Sequence, residues 1–318
     1  MEDTLKSSVV QIIYQEAERS GQPVLCIVDD TIAWHTKPSS QAVHPIEAAY
    51  FHQSHLKGCQ DYGHQVVSVM LSCNGIVLNY AVILYDKSKS KIEIVPEIAA
   101  GLPIAPVISY FLCDSWYTTI KVMDSFIRKG FYTNGALKTN RILYPCGIRQ
   151  KASEFALHLR KTDWDVSFVT VGGREFYVYR YEGILNDVPN AVVILSYPKE
   201  AFGNPKALRI FISTNAELST QEILDTYTKR WAIEIFFRQS KSKLELDKYQ
   251  IRSKQGIQRY WLIMSLVHYL CCMHSGKYCT FEEGYSYMQE QLKMETVGNL
   301  YQFIKNGASL EDVFERVG

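Results

Sequence analysis

Tyr227, Arg230, Glu234 and Lys241 lie in one largely apolar stretch at offsets 0, 3, 7 and 14. At about 100° per residue they fall at roughly 0°, 300°, 340° and 320° of a helix, a single narrow stripe. The other positions carry Ile233, Ile235, Phe236, Phe237 and Leu244, so the helix is expected to be buried on several sides. A buried helix keeps a carboxylate, a guanidinium and an ammonium only when they pair or face a polar site. Pairing alone would suffice, since Arg230 and Glu234 are an i,i+4 pair, and an internal salt-bridge ladder is the ordinary account of this helix taken by itself. The alternative is an acid that binds metal beside cations that grip phosphate.

Two other places bear on that choice. Pro23–Asp30 is an apolar run ending in Asp29 and Asp30, followed by Thr31. Val107–Asp114 repeats the design with one acid, Asp114, followed by Ser115, Trp116 and Tyr117. Both predict buried strands that present carboxylates at their C-terminal ends. A helical pattern follows the second (Tyr117, Ile120, Met123, Phe126, Ile127), closed by Gly130, with Ser115 as the expected N-cap. Strand-end acids often serve only as turn formers. Two of them plus a helix acid among phosphate-seeking side chains is a less ordinary set.

Breaking a phosphodiester needs an in-line nucleophile and a stabilised leaving oxygen, which two divalent ions about 3.5–4 Å apart supply. Magnesium takes oxygen ligands and keeps several waters, so two or three carboxylates suffice. Asp30, Asp114 and Glu234 would be the metal ligands. Arg230 and Lys241 would hold phosphates, the first as a fork and the second as a point charge. Tyr227 would donate to a phosphate or stack on a base.

These residues carry a resemblance. The pattern Tyr227-x2-Arg230-x3-Glu234-x6-Lys241 resembles the signature on the glutamate helix of bacterial insertion-sequence transposases of the Asp-Asp-Glu type. Asp30-Thr31 matches that family's first acid better than Asp29, and Asp114 matches its second. The resemblance covers roughly residues 20–265. It implies an α/β fold: an RNase H-like mixed sheet with flanking helices, interrupted by an antiparallel β insertion. It also implies DNA end cleavage that releases a 3′-hydroxyl, then attack of that hydroxyl on target DNA. The implied cofactor is Mg²⁺, two ions, with Mn²⁺ as a substitute; the implied partners are element-end and target DNA and a second copy in the DNA complex. Relatives of this kind carry an end-recognition domain ahead of the core. Only 29 residues precede Asp30, holding one amphipathic helix (Leu5, Val9, Ile12, Ile13), so the expectation is a chain without that domain. Two rivals follow: a shortened product that binds and inhibits a full-length transposase through its helical C-terminus, and a two-metal nuclease of the same fold.

The elements needed to position the site are legible. His64–Cys73 and Ile76–Asp86 read as strands joined by an Asn74-Gly75 hairpin turn. Residues 87–106 allow a short helix before Pro103 and Pro106, and Phe131–Leu137 reads as a fifth strand. Asp114 and Glu234 are 120 residues apart, too far for one helix and one strand. Residues 151–219 fill the gap with strand-like runs (167–171, 175–181, 192–197, 208–213) that suggest a small antiparallel sheet with a Gly172-Gly173 hairpin. Ser219-x-x-Glu222 is a capping box expected to open the glutamate helix. The organisation is thus a first part of the core (1–150), a β-rich insertion (151–219), and the glutamate helix with C-terminal helices (220–318).

Net charge is +1, which says nothing about nucleic acid. Its distribution says more: residues 229–259 hold nine Lys/Arg against three Asp/Glu, and 138–161 are basic too. Such a field suits DNA, though a solvated helical face would look the same. Lys138-Thr139-Asn140-Arg141 would reach phosphate only by position. Eight cysteines form no Cys-x-x-Cys pair, and most sit in apolar runs (Cys26, Cys73, Cys113) that read as holding reduced, buried thiols. His268, Cys271, Cys272, His274 and Cys279 match no zinc spacing and are expected to pack. His52, His55 and His64 read as surface or hairpin residues, with metal ligation the alternative, and Trp164 as a packing residue that could otherwise stack on an extruded base. With no signal peptide and no 18-residue apolar span, a cytoplasmic protein without membrane contact is expected.

Overall fold

Strand Leu25–Trp34 (β1) lies inside a mixed sheet and runs on past Asp29 and Asp30, so these acids stand in mid-strand and not at the expected strand end. In the computed structural model, which describes residues 1–39, 45–54, 58–185, 188–309 and 311–313, the chain forms two compact units, Met1–Met264 and Ser265–Gly318. The first opens with helix Glu2–Ser20 (α1), whose Leu5, Val9, Ile13 and Ala17 are buried at helical spacing. After β1 come Tyr50–Ser54 (β2), Cys59–Cys73 (β3) and Ile76–Tyr85 (β4). Asn74 and Gly75 both have positive φ in the β3–β4 turn, as a two-residue hairpin of right-handed twist requires. Helix Lys91–Gly101 (α2) starts at a Ser90/Glu93 capping box. Strand Ser109–Cys113 (β5), helix Ile120–Ile127 (α3) and strand Phe131–Leu137 (β6) follow. A short pair, Ile142–Leu143 (β7) and Gln150–Lys151 (β8), and the turn of helix Ala152–Ala156 (α4) lead into Val166–Val171 (β9), Arg174–Leu185 (β10), Val188–Pro198 (β11) and Arg209–Ser213 (β12).

The sheet order is β2-β3-β1-β5-β6-β12-β11-β10-β9, with β4 also paired to β3. β1 runs antiparallel to β3 and parallel to β5, and β5 parallel to β6. This mixed sheet with flanking helices is RNase H-like. The residue 151–219 strands are antiparallel to one another, as predicted, but they do not close on themselves. β12 pairs with β6, so the insertion extends the central sheet.

Helices Thr220–Thr228 (α5) and Trp231–Lys243 (α6) complete the site. Ile233, Phe236 and Phe237 of α6 are buried against Leu25 and Ile27 of β1 and Leu112 of β5, in one cluster with Ile257, Trp261 and Met264 of helix Lys254–Cys272 (α7). Each such side chain contributes about 1.5–3 kcal/mol, enough to fix α6 across the strand that carries the acids. On the opposite side Phe111 stacks on Phe126 at 3.8 Å and 7°, locking α3 to β5.

In the second unit, helix Phe281–Lys305 (α8) begins at a Thr280/Glu283 capping box. Its Gly284 sits so close to the end of α7 that a Cβ there would stand 1.7 Å from the Cys271 carbonyl oxygen.

Candidate functional site

Alternation along β1 decides which acid faces the glutamate helix. Leu25, Ile27 and Ala33 share the core cluster with α6, which puts Asp29 and Thr31 on that face. The side-chain bonds agree. The Arg230 guanidinium donates to Asp29 Oδ2 at 2.5 Å and to Glu234 Oε1 at 2.6 Å. Lys241 Nζ donates to Thr31 Oγ1 at 2.8 Å and to the Ile32 carbonyl at 2.9 Å. The parallel register pairs Val28 with Cys113, so the next step along both strands sets Asp29 beside Asp114. Asp30, the residue singled out from the sequence, points to the other face. Its carboxylate accepts from Tyr117 Oη at 2.7 Å, Lys91 Nζ at 2.8 Å and Gln65 Nε2 at 2.5 Å.

Burial dominates the electrostatics. It pushes Asp29 up to about 7, against the pull of Arg230 and with help from the charges of Asp114 and Asp30. Asp114 is raised mainly by burial, and the charge of Asp30 adds to this, while a bond from the Trp116 amide at 2.9 Å opposes it. Burial disfavours the charge on Arg230, yet Tyr227, Asp29 and Glu234 hold it firmly protonated. Arg230 Nε is buried with no hydrogen-bond partner among the described residues. These are crowded acids that repel one another and would be relieved by added positive charge.

Two features of the predicted helix are corrected. The Ser219/Glu222 capping box opens α5, not the glutamate helix, and the two helices meet at Lys229-Arg230. There the bonding tightens to three-residue spacing, with the Arg230 amide on Tyr227 and the Ile233 amide on Arg230. Tyr227 therefore ends one helix and packs on Phe211 at 4.8 Å, while Arg230 caps the next. The α3 N-cap is Thr119, not Ser115. Residues 114–118 are used instead as a loop, in which Thr118 Oγ1 donates to the Ser115 carbonyl. Arg141 braces this loop by donating to the Thr118 carbonyl at 2.7 Å. Gly135 of β6 leaves room for it: a Cβ there would stand 2.9 Å from Thr118 Cγ2 and 3.2 Å from the Cys113 carbonyl oxygen.

Sequence reasoning missed Lys91, Tyr117 and Gln65. Lys91 and Gln65 have no local signal. Tyr117 reads as one apolar position of a helix. It is instead fully buried, with its hydroxyl on Asp30. His64 is not a surface residue but fully buried, between the Glu47 carbonyl and Tyr249 Oη. His52 is buried as well, and His55 lies outside the described residues. Trp164 does not pack; it is 95% exposed. In the second unit His268 stacks on Phe281 at 5.0 Å, a packing role as expected.

Two cavities flank Tyr227. One of about 510 Å³ has largely apolar walls that include Phe176, Phe211, Trp231 and Arg230. The other, of about 710 Å³, is more polar and includes Ser115, Lys138, Thr139 and Asn140. Arg209 borders both.

The fold and site define a class: RNase H-like proteins whose adjacent strands carry carboxylates toward a helix glutamate. A family model described as a transposase DDE domain matches residues 20–270, and the chain belongs to that family. It is a transposase-type enzyme that cuts and rejoins DNA, and its relatives generally use divalent metal ions. No curated protein matches the chain. Among the described residues no three acid, imidazole or thiol groups form a ready-made metal centre, and no helix is long and apolar enough to cross a membrane. Asp29, Asp114 and Glu234 offer only carboxylate oxygens, the donor type that a hard divalent ion such as Mg²⁺ takes.

Proposed function

We propose that this chain cleaves the ends of a mobile DNA element and transfers the resulting 3′-hydroxyl to target DNA, with Mg²⁺ held by Asp29, Asp114 and Glu234. The observation that carries this reading is Arg230 bridging Asp29 and Glu234 beside the Asp114 strand end. Bound there, Mg²⁺ ions would activate the attacking oxygen and stabilise the leaving one. Asp30, bound by Tyr117, Lys91 and Gln65, would brace β1 from the opposite face.

The residues of the chain divide the remaining work. Arg230 neutralises two acids while the site waits, and its unfilled Nε gives it a further donor for a phosphate. Lys241 holds the end of β1 and adds a point charge beside it. Tyr227, between an aromatic-walled cavity and a polar one, would position a nucleotide: a base against Phe211 and Trp231, a phosphate toward Lys138 and Arg209. Seating a phosphate on Arg230 would free Asp29 and Glu234 for metal, so metal and DNA would bind together. Two copies would act on two element ends.

The test is strand cleavage of element-end DNA with Mg²⁺ or Mn²⁺. Glu234→Gln, Asp114→Asn and Asp29→Asn should each abolish it while circular dichroism stays unchanged. Asp30→Asn should leave measurable cleavage. If Asp30→Asn is inactive and Asp29→Asn is not, the first ligand is Asp30. If Glu234→Gln keeps full activity, the Arg230 bridge is only a structural ladder.

A further inference from the structure

The loop that carries Asp114 exposes an indole that the proposed reaction leaves unused. Trp116 is 45% exposed, although tryptophan rings are usually well covered. Its backbone is pinned on several sides. The Trp116 amide donates to Asp114 Oδ1 at 2.9 Å. The next residue, Tyr117, is fully buried with its hydroxyl on Asp30, and Arg141 holds the Thr118 carbonyl. The ring therefore stands in a set place beside the Asp114 carboxylate.

Two ammonium groups lie over this ring, Lys138 Nζ at 4.9 Å from its centroid and Lys91 Nζ at 5.1 Å. Their circumstances differ. Lys91 is largely buried, ion-paired with Asp30, and also faces Tyr85. Lys138 follows the last residue of β6, and among the described residues the indole is the one partner of its ammonium. Two like charges gathered on one ring repel, and salt screens them only in part at so short a range. The negative face of the indole offsets some of that repulsion. An anion beside Lys138 would remove the rest. The room for one is adjacent: Lys138 lines the polar cavity of about 710 Å³ with Ser115, Thr139, Asn140 and Arg209, and no carboxylate lines it among the described residues. Hydroxyl, amide and guanidinium donors without an acid suit a phosphate.

We infer that Trp116 is a positioning residue for DNA: its ring holds the Lys138 ammonium against this cavity, where Lys138 takes a phosphate of the strand that reaches Asp114. The ring sets the ammonium in place before DNA arrives, so less side-chain freedom is lost on binding. The indole itself touches no base. The inference rests on the proposed function for DNA as the ligand, and it requires neither metal nor cleavage.

The experiment is binding of a fluorescein-labelled duplex of mixed sequence to the full chain, read by anisotropy in EDTA over a series of salt concentrations. Lys138→Met should reduce the slope of log K against log salt by about one unit. Trp116→Leu keeps the backbone amide on Asp114 and should raise Kd about threefold; Trp116→Phe should raise it less, following the strength of the ring as a cation partner. In the Lys138→Met background neither Trp116 change should have a further effect. Equal losses in both backgrounds would mean that the ring meets DNA directly, as a stacking face, and would overturn the inference. So would a Phe variant no better than Leu, or an unchanged slope in Lys138→Met. If circular dichroism shows that Trp116→Leu is misfolded, Trp116→Phe in the two Lys138 backgrounds still decides. A wild type that binds no DNA refutes the proposed function as well; a wild type that binds while the variants fail these expectations refutes the inference alone.

Discussion

Replacing Asp29 by Asn should stabilise the protein at alkaline pH and leave it unchanged in acid. The Asp29 carboxyl is largely buried and its pKa rises from the usual 3.8 to about 7, burial outweighing the attraction of Arg230. The folded protein thus holds this proton more tightly than the unfolded chain. The favourable contribution is complete below pH 3.8 and is lost as pH rises through 7. A shift of about three units corresponds to roughly 4 kcal/mol lost by pH 8. Asn cannot ionise, and Arg230 keeps Glu234 as a partner in the variant. Urea unfolding in EDTA should therefore show equal midpoints near pH 4. At pH 8 the Asn variant should have the higher midpoint, by roughly 1 M or more. Added Mg²⁺ should narrow the gap by stabilising only the wild type. An acid retained at such expense is expected where function requires it. If Asp29→Asn lowers stability at pH 8, or changes it equally at all pH values, the ion pair with Arg230 outweighs burial and the reasoning fails.

Gly135→Ala should destabilise by about 1–3 kcal/mol, because its Cβ would press on Thr118 and the Cys113 carbonyl; thermal unfolding checks this, and cleavage should fall with it as the Asp114 loop shifts. His64 is held neutral, mainly by burial, with its pKa lowered to about 4, so its contribution is present above 6.5 and lost as pH falls through 4. That loss is about 3 kcal/mol, and urea midpoints of a His64→Gln variant should fall less steeply with acid than those of the wild type. Lys241→Met should weaken DNA binding and reduce the slope of log K against log salt by about one unit, measured by fluorescence anisotropy; an unchanged slope would confine Lys241 to its bonds with Thr31 and Ile32.

The sequence by itself determined the elements and their ends wherever a local signal existed. Asn74-Gly75 set a hairpin because both residues accept positive φ. The apolar runs ending at Asp29-Asp30 and Asp114 became buried strands because nothing but a core satisfies such runs. The spacing of Arg230 and Glu234 placed them one helical turn apart. What the sequence left open needed the third dimension. Asp29 and Asp30 are adjacent in the chain, and which of them faces α6 turned on which face of β1 the side chains Ile233 and Phe236 cover. The break between Tyr227 and Arg230 came from hydrogen-bond spacing at the helix junction, which no apolar period records. Lys91 and Tyr117 reach Asp30 from 61 and 87 residues away, because α2 and the Asp114 loop fold onto one side of the sheet. The continuation of the insertion into the central sheet likewise depended on the pairing of β12 with β6, a contact between strands more than 70 residues apart. Local chemistry fixes a residue's preferred element; only packing fixes which face of it meets which partner.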